Sequence, residues 1–296
     1  MPAPMPSIPQ LEGISHRDVT VRGVRLHVAE GGPADAPPVL LLHGWPQHWW
    51  IWRDVITDLV RDHRVIAPDL RGLGWSAAPR RGYRKQQLAD DNLALLDALG
   101  VERAALIAHD WGAFAGFLLC LSAPERVSAF VGCSIPHLWP PAERPSVRRL
   151  SQLWYQVVLA APGIGQGLMR QGGLTKKVLA SARTNGRYTG EELALYANVL
   201  RQPKHARASA QYYRSFLLHE LAPIARGGFH DRPLTTPTRL LWGREDPILQ
   251  GARDDEHRAF APQMEIEWVP ETGHFLPEER PQLVVERARA LFATVP

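Results

Sequence analysis

The chain has 296 residues, of which 45% are hydrophobic and 22% charged, and its formal net charge is +4. This length allows one large α/β domain with an insertion, or two modest domains, and the composition is that of an ordinary soluble globular protein. The basic residues are scattered, with no run longer than doublets such as Arg80-Arg81, so the sequence lacks the concentrated basic stripe of a nucleic-acid-binding protein.

Nothing in the sequence predicts a membrane partner. The first nine residues contain neither a charged segment nor a long apolar run, and no stretch approaches the roughly 18 apolar residues of a membrane span. Cys120 and Cys133 lie in apolar surroundings, which favours reduced thiols in the core. We therefore expect a cytoplasmic protein.

The first half of the chain alternates between strand and helix patterns. An alternating apolar segment at residues 16–29 predicts an antiparallel edge hairpin, and short apolar runs predict buried strands. The predicted strands cover residues 39–42, 64–67, 104–108 and 127–135, and the predicted helices cover residues 49–60, 85–99 and 113–122. With right-handed crossovers, this order gives an open, mostly parallel, doubly wound α/β sheet.

The pattern changes after Pro136. The region that follows contains helix patterns and no clear strand until the sheet resumes near residue 238. Helices are predicted over residues 146–160, 168–182, 191–200, 206–218 and 280–293, and the last two strands over residues 238–242 and 264–269. We expect a core domain made of residues 1–136 and 233–296, with residues 137–232 inserted between sheet strands as a helical cap over the strand ends.

A tight turn that carries an acid lies between the strand at 104–108 and the helix that follows it. The neighbours of Asp110 are small: Ala108 precedes it, and Gly112 and Ala113 follow it. A sharp strand-to-helix turn lifts one side chain clear of the sheet and needs small residues where helix and strand nearly touch. Serine is the usual residue at such an elbow, and here it is aspartate.

Three polar groups follow strands in the order nucleophile, acid, histidine. Asp110 lies on the elbow, Asp246 after the strand at 238–242, and His274 after the last strand. The carboxyl ends of parallel strands share one edge of the sheet, where ligands bind, and this chain order is that of an α/β-hydrolase triad. Asp69 and Glu245 are alternative acids, although we expect Asp69 to brace Arg71 within its own loop.

With these motifs the chain resembles an α/β-hydrolase of the epoxide hydrolase branch, close to the haloalkane dehalogenases, over about residues 17–292. The segment His43-Gly-Trp-Pro46 is similar to the HGxP oxyanion motif of that family, and His109-Asp-Trp-Gly-Ala113 is similar to its aspartate elbow. The segment at residues 72–76 resembles its glycine-rich loop. We expect His43 and His109 to be structural residues.

An aspartate nucleophile changes the chemistry. A carboxylate is ionised near pH 7, since its reference pKa is about 3.9, and it suits displacement at an sp3 carbon, which leaves an alkyl ester on the enzyme. His274, oriented by Asp246, would then activate water against that ester. The backbone N–H groups of Trp45 and Trp111 would hold the resulting oxyanion.

The resemblance also implies two cap tyrosines that hold and protonate an epoxide oxygen. Tyr155 stands in a Tyr-Gln pair shortly before a Pro-Gly, and Tyr213 stands in a Tyr-Tyr-Arg context, as in the family. The sequence departs from the family at Ala160-Ala161, where many members carry larger or polar residues.

The leading hypothesis is hydrolysis of a small apolar epoxide to a vicinal diol. A haloalkane or haloacid dehalogenase with the same Asp110 and His274 is the alternative, with Trp111 as a halide donor, and a non-catalytic ligand-binding relative is a third hypothesis. No cofactor or metal site is expected, because the twelve histidines show no ligand spacing such as HExxH. The oligomeric state stays open, a homodimer included.

Overall fold

The computed structural model describes residues 5–140, 154–186, 188–250 and 252–295, and over these ranges eight strands form one sheet. The strands are β1 (Ile14–Val21), β2 (Val24–Gly31), β3 (Pro38–Leu42), β4 (Arg64–Pro68), β5 (Ala104–His109), β6 (Val127–Cys133), β7 (Thr238–Gly243) and β8 (Met264–Val269). Their order across the sheet is β1-β2-β4-β3-β5-β6-β7-β8. The β1–β2 and β2–β4 pairs are antiparallel, and the other neighbours are parallel. The predicted mostly parallel sheet and its antiparallel edge hairpin are confirmed.

Helices complete the fold on both faces of the sheet. They are α1 (Arg53–Leu59), α2 (Lys85–Ala98), α3 (Asp110–Ser122), α4 (Trp154–Ala160), α5 (Ile164–Gln171), α6 (Gly173–Ser181), α7 (Gly190–Leu200), α8 (Pro203–Ser215), α9 (Leu221–Ala225), α10 (Leu276–Glu279) and α11 (Pro281–Phe292). Successive residues of β3 belong to two different apolar clusters. Leu40 lies in the cluster that includes residues of α2 and α3, whereas Leu41 lies in the cluster that includes residues of α1 and α11. This alternation is what a strand covered on both faces requires.

Some predicted helices have different bounds in the structure. The helix predicted over 49–60 begins as a 3₁₀ turn, Trp49–Trp52, before α1. The helix predicted over 168–182 is two helices, because Gly172 between them has a left-handed backbone with φ of 77°. The helix predicted over 206–218 ends at Ser215 and continues as a π-helical turn, Phe216–Glu220. Only α4 of the helix predicted over 146–160 lies within the described residues.

The topology places two loops side by side at the carboxyl edge. β3 lies between β4 and β5 in the sheet, so the chain changes its winding direction there. Leu42, the last residue of β3, pairs with Ala108 of β5, and the His43 loop therefore leaves the sheet beside the Asp110 elbow. Such a switch point is where doubly wound sheets bind ligands.

Helices α4 to α9 lie between β6 and β7 in the chain and contact loops at this edge. The Tyr212 hydroxyl of α8 donates to the carbonyl oxygen of Arg71, in the loop after β4, at 2.9 Å. The Tyr196 hydroxyl of α7 donates to Glu278, after β8, at 2.9 Å. None of the helices in the described ranges has the length and apolar character that crossing a membrane would require.

Candidate active site

The elbow holds Asp110 in a backbone conformation that few side chains adopt. Asp110 is the first residue of α3, and its φ is 50°, in the left-handed region. A Cβ on Gly44 would overlap the Asp110 side chain, and a Cβ on Gly112 would overlap the carbonyl oxygens of Leu42 and His43. Glycine is therefore needed at positions 44 and 112, because the β3 loop and the elbow are in direct contact.

We expect Gly112→Ala to lower the free energy of unfolding by about 1–3 kcal/mol, the usual cost of overpacking. The backbone it would strike belongs to a loop between two packed elements and has little room to shift. Gly116→Ala is the matched control, since a Cβ there would lie 3.0–3.1 Å from the side chains of Leu106 and Phe130. Urea unfolding monitored by circular dichroism gives both values. A Gly112→Ala variant as stable as the wild type would show that the close approach at Gly112 costs nothing.

The structure brings Asp110, Asp246 and His274 together. Nδ1 of His274 donates to Asp246 Oδ2 at 2.9 Å, and Nε2 of His274 lies 3.7 Å from Asp110 Oδ2. The backbone N–H of Trp45 donates to Asp110 Oδ1 at 2.8 Å. All three residues are buried, so the array is shielded from bulk water, which strengthens its electrostatics.

Burial and neighbouring charges shift the pKa values of this array. Burial raises the pKa of Asp110, while His274 and the backbone N–H groups of Trp111 and Trp45 lower it, and the net shift is upward. Burial lowers the pKa of His274, but Asp246 and Asp110 raise it more, so its net pKa lies above the ordinary value of 6.5. The histidine is thus poised to accept a proton between two carboxylates.

The alternative acids have other partners. Glu245 accepts a hydrogen bond from the backbone N–H of Thr272 at 2.7 Å. The expectation that Asp69 braces Arg71 is wrong: Arg71 forms a two-point ion pair with Asp91 at 2.5 Å. Asp69 instead accepts hydrogen bonds from His27 and from two backbone N–H groups, those of Trp49 and Trp75. A single sequence cannot show which of several acids an arginine selects.

The two histidines expected to be structural support the loops of the site. His43 donates from Nδ1 to the carbonyl oxygen of Gly44 at 2.9 Å and accepts the backbone N–H of Leu70 at its Nε2, at 3.0 Å. His109 donates from Nε2 to the carbonyl oxygen of His274 at 2.8 Å. His109 therefore fixes the backbone of the catalytic-histidine candidate, a contact that the sequence analysis missed.

Both candidate cap tyrosines lie near the elbow. The ring of Tyr213 packs edge-on against the rings of Trp45 and Trp111, with centroid distances of 5.2 and 5.6 Å, and lies 6.1 Å from the ring of Tyr155. Burial raises the pKa of both phenols, and Asp110 raises each further. The phenols therefore stay protonated at neutral pH and are available as hydrogen-bond donors.

Two buried glutamates after His274 were not singled out from the sequence. Glu279 accepts the backbone N–H groups of Gly273 and Phe275 at 3.0 and 3.1 Å, and those of Thr184 and Asn185 at 2.9 and 2.7 Å. The backbone N–H of His274 also donates to the carbonyl oxygen of Ala182 at 2.7 Å. The loop that carries His274 is thus tied to the segment between α6 and α7.

Glu278 binds a second set of donors. It accepts from Gln47 Nε2 and Arg53 Nη1 at 2.5 Å each, from the Tyr196 hydroxyl at 2.9 Å, and from the Tyr188 hydroxyl. The only signal for either glutamate was a pair of acids at the start of a helix, which is common for electrostatic reasons alone. Among the described residues, no group of three or more His, Cys, Asp or Glu could hold a metal ion.

The chain is similar to known hydrolases over nearly its whole length. A family model described as alpha/beta hydrolase fold matches residues 37–281. An AB hydrolase superfamily protein, YfhM, from Bacillus subtilis (strain 168) is 30% identical over 93% of this chain and 96% of its own length. A soluble epoxide hydrolase from Corynebacterium sp. (strain C12) is 30% identical over 95% of this chain and 98% of its own.

Solved structures agree with these relatives. The crystal structure of epoxide hydrolase VrEH1 from Vigna radiata superposes with a TM-score of 0.82 at 29% identity, and the match covers 97% of this chain and 100% of that one. The fold predicted from the elbow and the strand order is therefore confirmed. The chain belongs to the alpha/beta hydrolase fold family, in its epoxide hydrolase group.

Proposed function

We propose that this protein hydrolyses a small apolar epoxide to a vicinal diol through an alkyl ester on Asp110. The observation that carries the proposal is the pair of tyrosines, Tyr155 and Tyr213, whose rings lie 6.1 Å apart near the buried Asp110 on its elbow. An epoxide oxygen needs a proton donor as its ring opens, and these phenols supply one. The similarity to epoxide hydrolases from Corynebacterium and Vigna radiata supports the same activity.

In the first step an Asp110 carboxylate oxygen attacks a ring carbon of the epoxide. The carbon–oxygen bond of the ring breaks, its electron pair goes to the ring oxygen, and Tyr155 or Tyr213 gives that oxygen its proton. The products are a hydroxyalkyl ester and a tyrosinate. Asp110 needs no general base, because only its ionised form acts as the nucleophile.

In the second step His274 takes a proton from water, and the hydroxide attacks the carbonyl carbon of the ester. The oxyanion lies at the backbone N–H groups of Trp45, which donates to Asp110 Oδ1 at 2.8 Å, and of Trp111, the residue after Asp110. Collapse of the intermediate expels the alkoxide, which takes the proton from the His274 imidazolium and leaves as the diol. The proton that remains on the Asp110 carboxyl group then passes to the tyrosinate. Asp246 orients His274 and stabilises its imidazolium.

The proposal assigns separate tasks to two regions. Residues 1–136 and 233–296 would form the core domain, which carries the nucleophile, the base and the oxyanion donors. Residues 137–232 would form the cap domain, which contributes Tyr155 and Tyr213 and covers the ligand. The contacts of Tyr212 and Tyr196 with loops of the strand edge support this division.

A single turnover in heavy-oxygen water tests the proposed function. With styrene oxide as substrate, we expect the label in the Asp110 peptide and an unlabelled diol, because water attacks the ester at its carboxylate carbon. A bromoalkane run in parallel tests dehalogenation. Label in the diol with none in Asp110 would contradict the covalent mechanism, and binding without turnover of either probe would support a non-catalytic relative.

Dehalogenation of a haloalkane or haloacid is the second candidate function. The indole Nε1 atoms of Trp45 and Trp111 are buried and, among the residues that the structure describes, make no hydrogen bond of ordinary geometry. Both indoles pack against Tyr213 beside Asp110, where they could cradle a departing halide. Bromide release from the bromoalkane, without diol formation from styrene oxide, would favour this activity.

Replacing the two tyrosines separates the candidates. We expect Tyr213→Phe or Tyr155→Phe to lower the rate of epoxide opening by about 10²–10³-fold, the usual cost of one lost donor to a developing oxyanion. Tyr83→Phe, whose hydroxyl donates instead to the carbonyl oxygen of Pro79, is the control. Ester formation on Asp110 in rapid-quench experiments gives the rate. A departing halide needs no proton, so rapid ester formation from the bromoalkane that is unchanged in both variants would favour the dehalogenase.

A further inference from the structure

Lys85 is a buried cation that the mechanism above does not use. It is the first residue of α2, and its side chain is fully buried. A buried ammonium group is unfavourable unless it is paired and hydrogen-bonded. Its Nζ donates to the carbonyl oxygen of Tyr212 at 2.6 Å and lies 3.0 Å from Glu220 Oε2. These partners belong to α8 and to the π-helical turn that follows it.

The ammonium group also lies among aromatic rings of the site. Its Nζ is 4.2 Å from the ring centroid of Trp111, 5.4 Å from that of Phe216 and 5.7 Å from that of Tyr212. A cation within about 6 Å of an aromatic face is attracted to it, most strongly by tryptophan. The contact with Trp111 is the shortest of these, so the charge is held against the residue that follows the nucleophile.

Trp111 connects this charge to the reacting groups. Its backbone N–H lowers the pKa of Asp110, and its ring packs edge-on against the ring of Tyr213 at a centroid distance of 5.6 Å. Asp110 in turn raises the pKa of Lys85. Trp111 therefore contacts both the Lys85 cation and the Tyr213 ring, next to the nucleophile candidate in the chain.

We propose that Lys85 is a positioning residue for ring opening: held against Trp111, it fixes the orientation of Trp111 and, through that ring, of Tyr213. This inference rests on the proposed epoxide hydrolase function. The second step depends on His274, whose pKa responds to Asp246, Asp110 and Glu279. The charge of Lys85 should thus matter more for ester formation than for ester hydrolysis.

Two variants separate charge from packing. Lys85→Met removes the charge and keeps the length of the side chain, whereas Glu220→Gln removes the counter-charge and keeps the shape. With styrene oxide at pH 7, rapid-quench mass spectrometry of the Asp110 peptide follows ester formation and decay. We expect Lys85→Met to slow ester formation at least tenfold and ester decay less than threefold. Glu220→Gln should slow ester formation less at pH 6 than at pH 7, because loss of the counter-charge lowers the pKa of Lys85, and Lys85→Arg should restore part of the loss.

A wild-type pH profile tests the same inference without Lys85→Met. Burial lowers the pKa of Lys85, while Glu220 and Asp110 raise it, to a net value of about 8. The titratable groups that face it are Glu220 on the π-helical turn, Asp110 on the elbow and Tyr212 on α8. Ester formation should fall as pH rises through about 8, and the fall should move to lower pH in Glu220→Gln.

Three results would overturn the inference. Equal slowing of both steps in Lys85→Met and Glu220→Gln would mean that the ion pair only maintains the fold. Unchanged ester formation in Lys85→Met would mean that the charge has no role. An unchanged ¹H–¹⁵N resonance of the Trp111 indole in Lys85→Met, assigned with Trp111→Phe, would deny the contact itself. A wild type that forms neither ester nor diol would instead contradict the proposed function.

Discussion

Asp110→Asn should abolish turnover of styrene oxide, with a loss of about 10⁴-fold or more in kcat, because the nucleophile and the covalent intermediate disappear together. The amide is nearly isosteric and can still accept the backbone N–H of Trp45, so binding and folding should change little. Steady-state diol production gives kcat, and the intact-protein mass after mixing with substrate shows whether the covalent intermediate forms.

Asp97→Asn is the matched control for this prediction. Asp97 is an exposed aspartate at the end of α2. It forms an ion pair with Arg126, which is not part of the candidate site. Its replacement should leave kcat within twofold of the wild type. If Asp110→Asn kept its full initial rate before any deamidation, as judged by peptide mass, direct attack of water on the epoxide would replace the ester mechanism.

His274→Gln should stop the reaction halfway. We expect one equivalent of alkylated Asp110 to form at near the wild-type rate and then to persist, because the base serves only the second step. Turnover in steady state should fall by about 10²–10⁴-fold, the usual contribution of a general base. Rapid quenching followed by peptide mapping would detect the added mass on Asp110.

Two results would contradict this assignment. Absence of the ester in His274→Gln, with a folded protein, would mean that the histidine acts before or during the first step. A rate of ester hydrolysis in the wild type that stayed constant as pH fell would also contradict it. The pKa of His274 is raised above 6.5, so its base form, and with it ester hydrolysis, should decline as pH falls through that raised value.

The sequence predicted the parts of the site that depend on local backbone constraints. The small neighbours of Asp110 predicted a sharp turn because helix and strand almost touch there, and the structure has that turn with a positive φ at Asp110. The apolar runs predicted the strands because buried parallel strands need them. Once the strand order was assumed, Asp110, Asp246 and His274 had to share one edge. Their catalytic roles stay predictions.

Contacts between distant segments could not be predicted in this way. Gln47 and Glu278 are 231 positions apart, and neither has a local pattern that identifies the other as a partner. The same holds for Arg71, which selects Asp91 over Asp69, and for Lys85, whose charge is matched by Glu220. The bounds of the helices between β6 and β7 depend on such packing and on Gly172. Hydrophobic periodicity alone therefore predicted these bounds inaccurately.

The hydrogen bonds of Glu279 have a consequence for protein engineering. One carboxylate joins the backbone of the His274 loop to Thr184 and Asn185, which lie in the region that a cap exchange would replace. A chimera that took residues 137–232 from a relative would also have to reproduce this short connection. Otherwise, the transplanted helices would bring a new binding surface but would leave the loop that carries His274 in the wrong position. Crossover points that retain residues 182–188 of this chain should therefore yield more active chimeras.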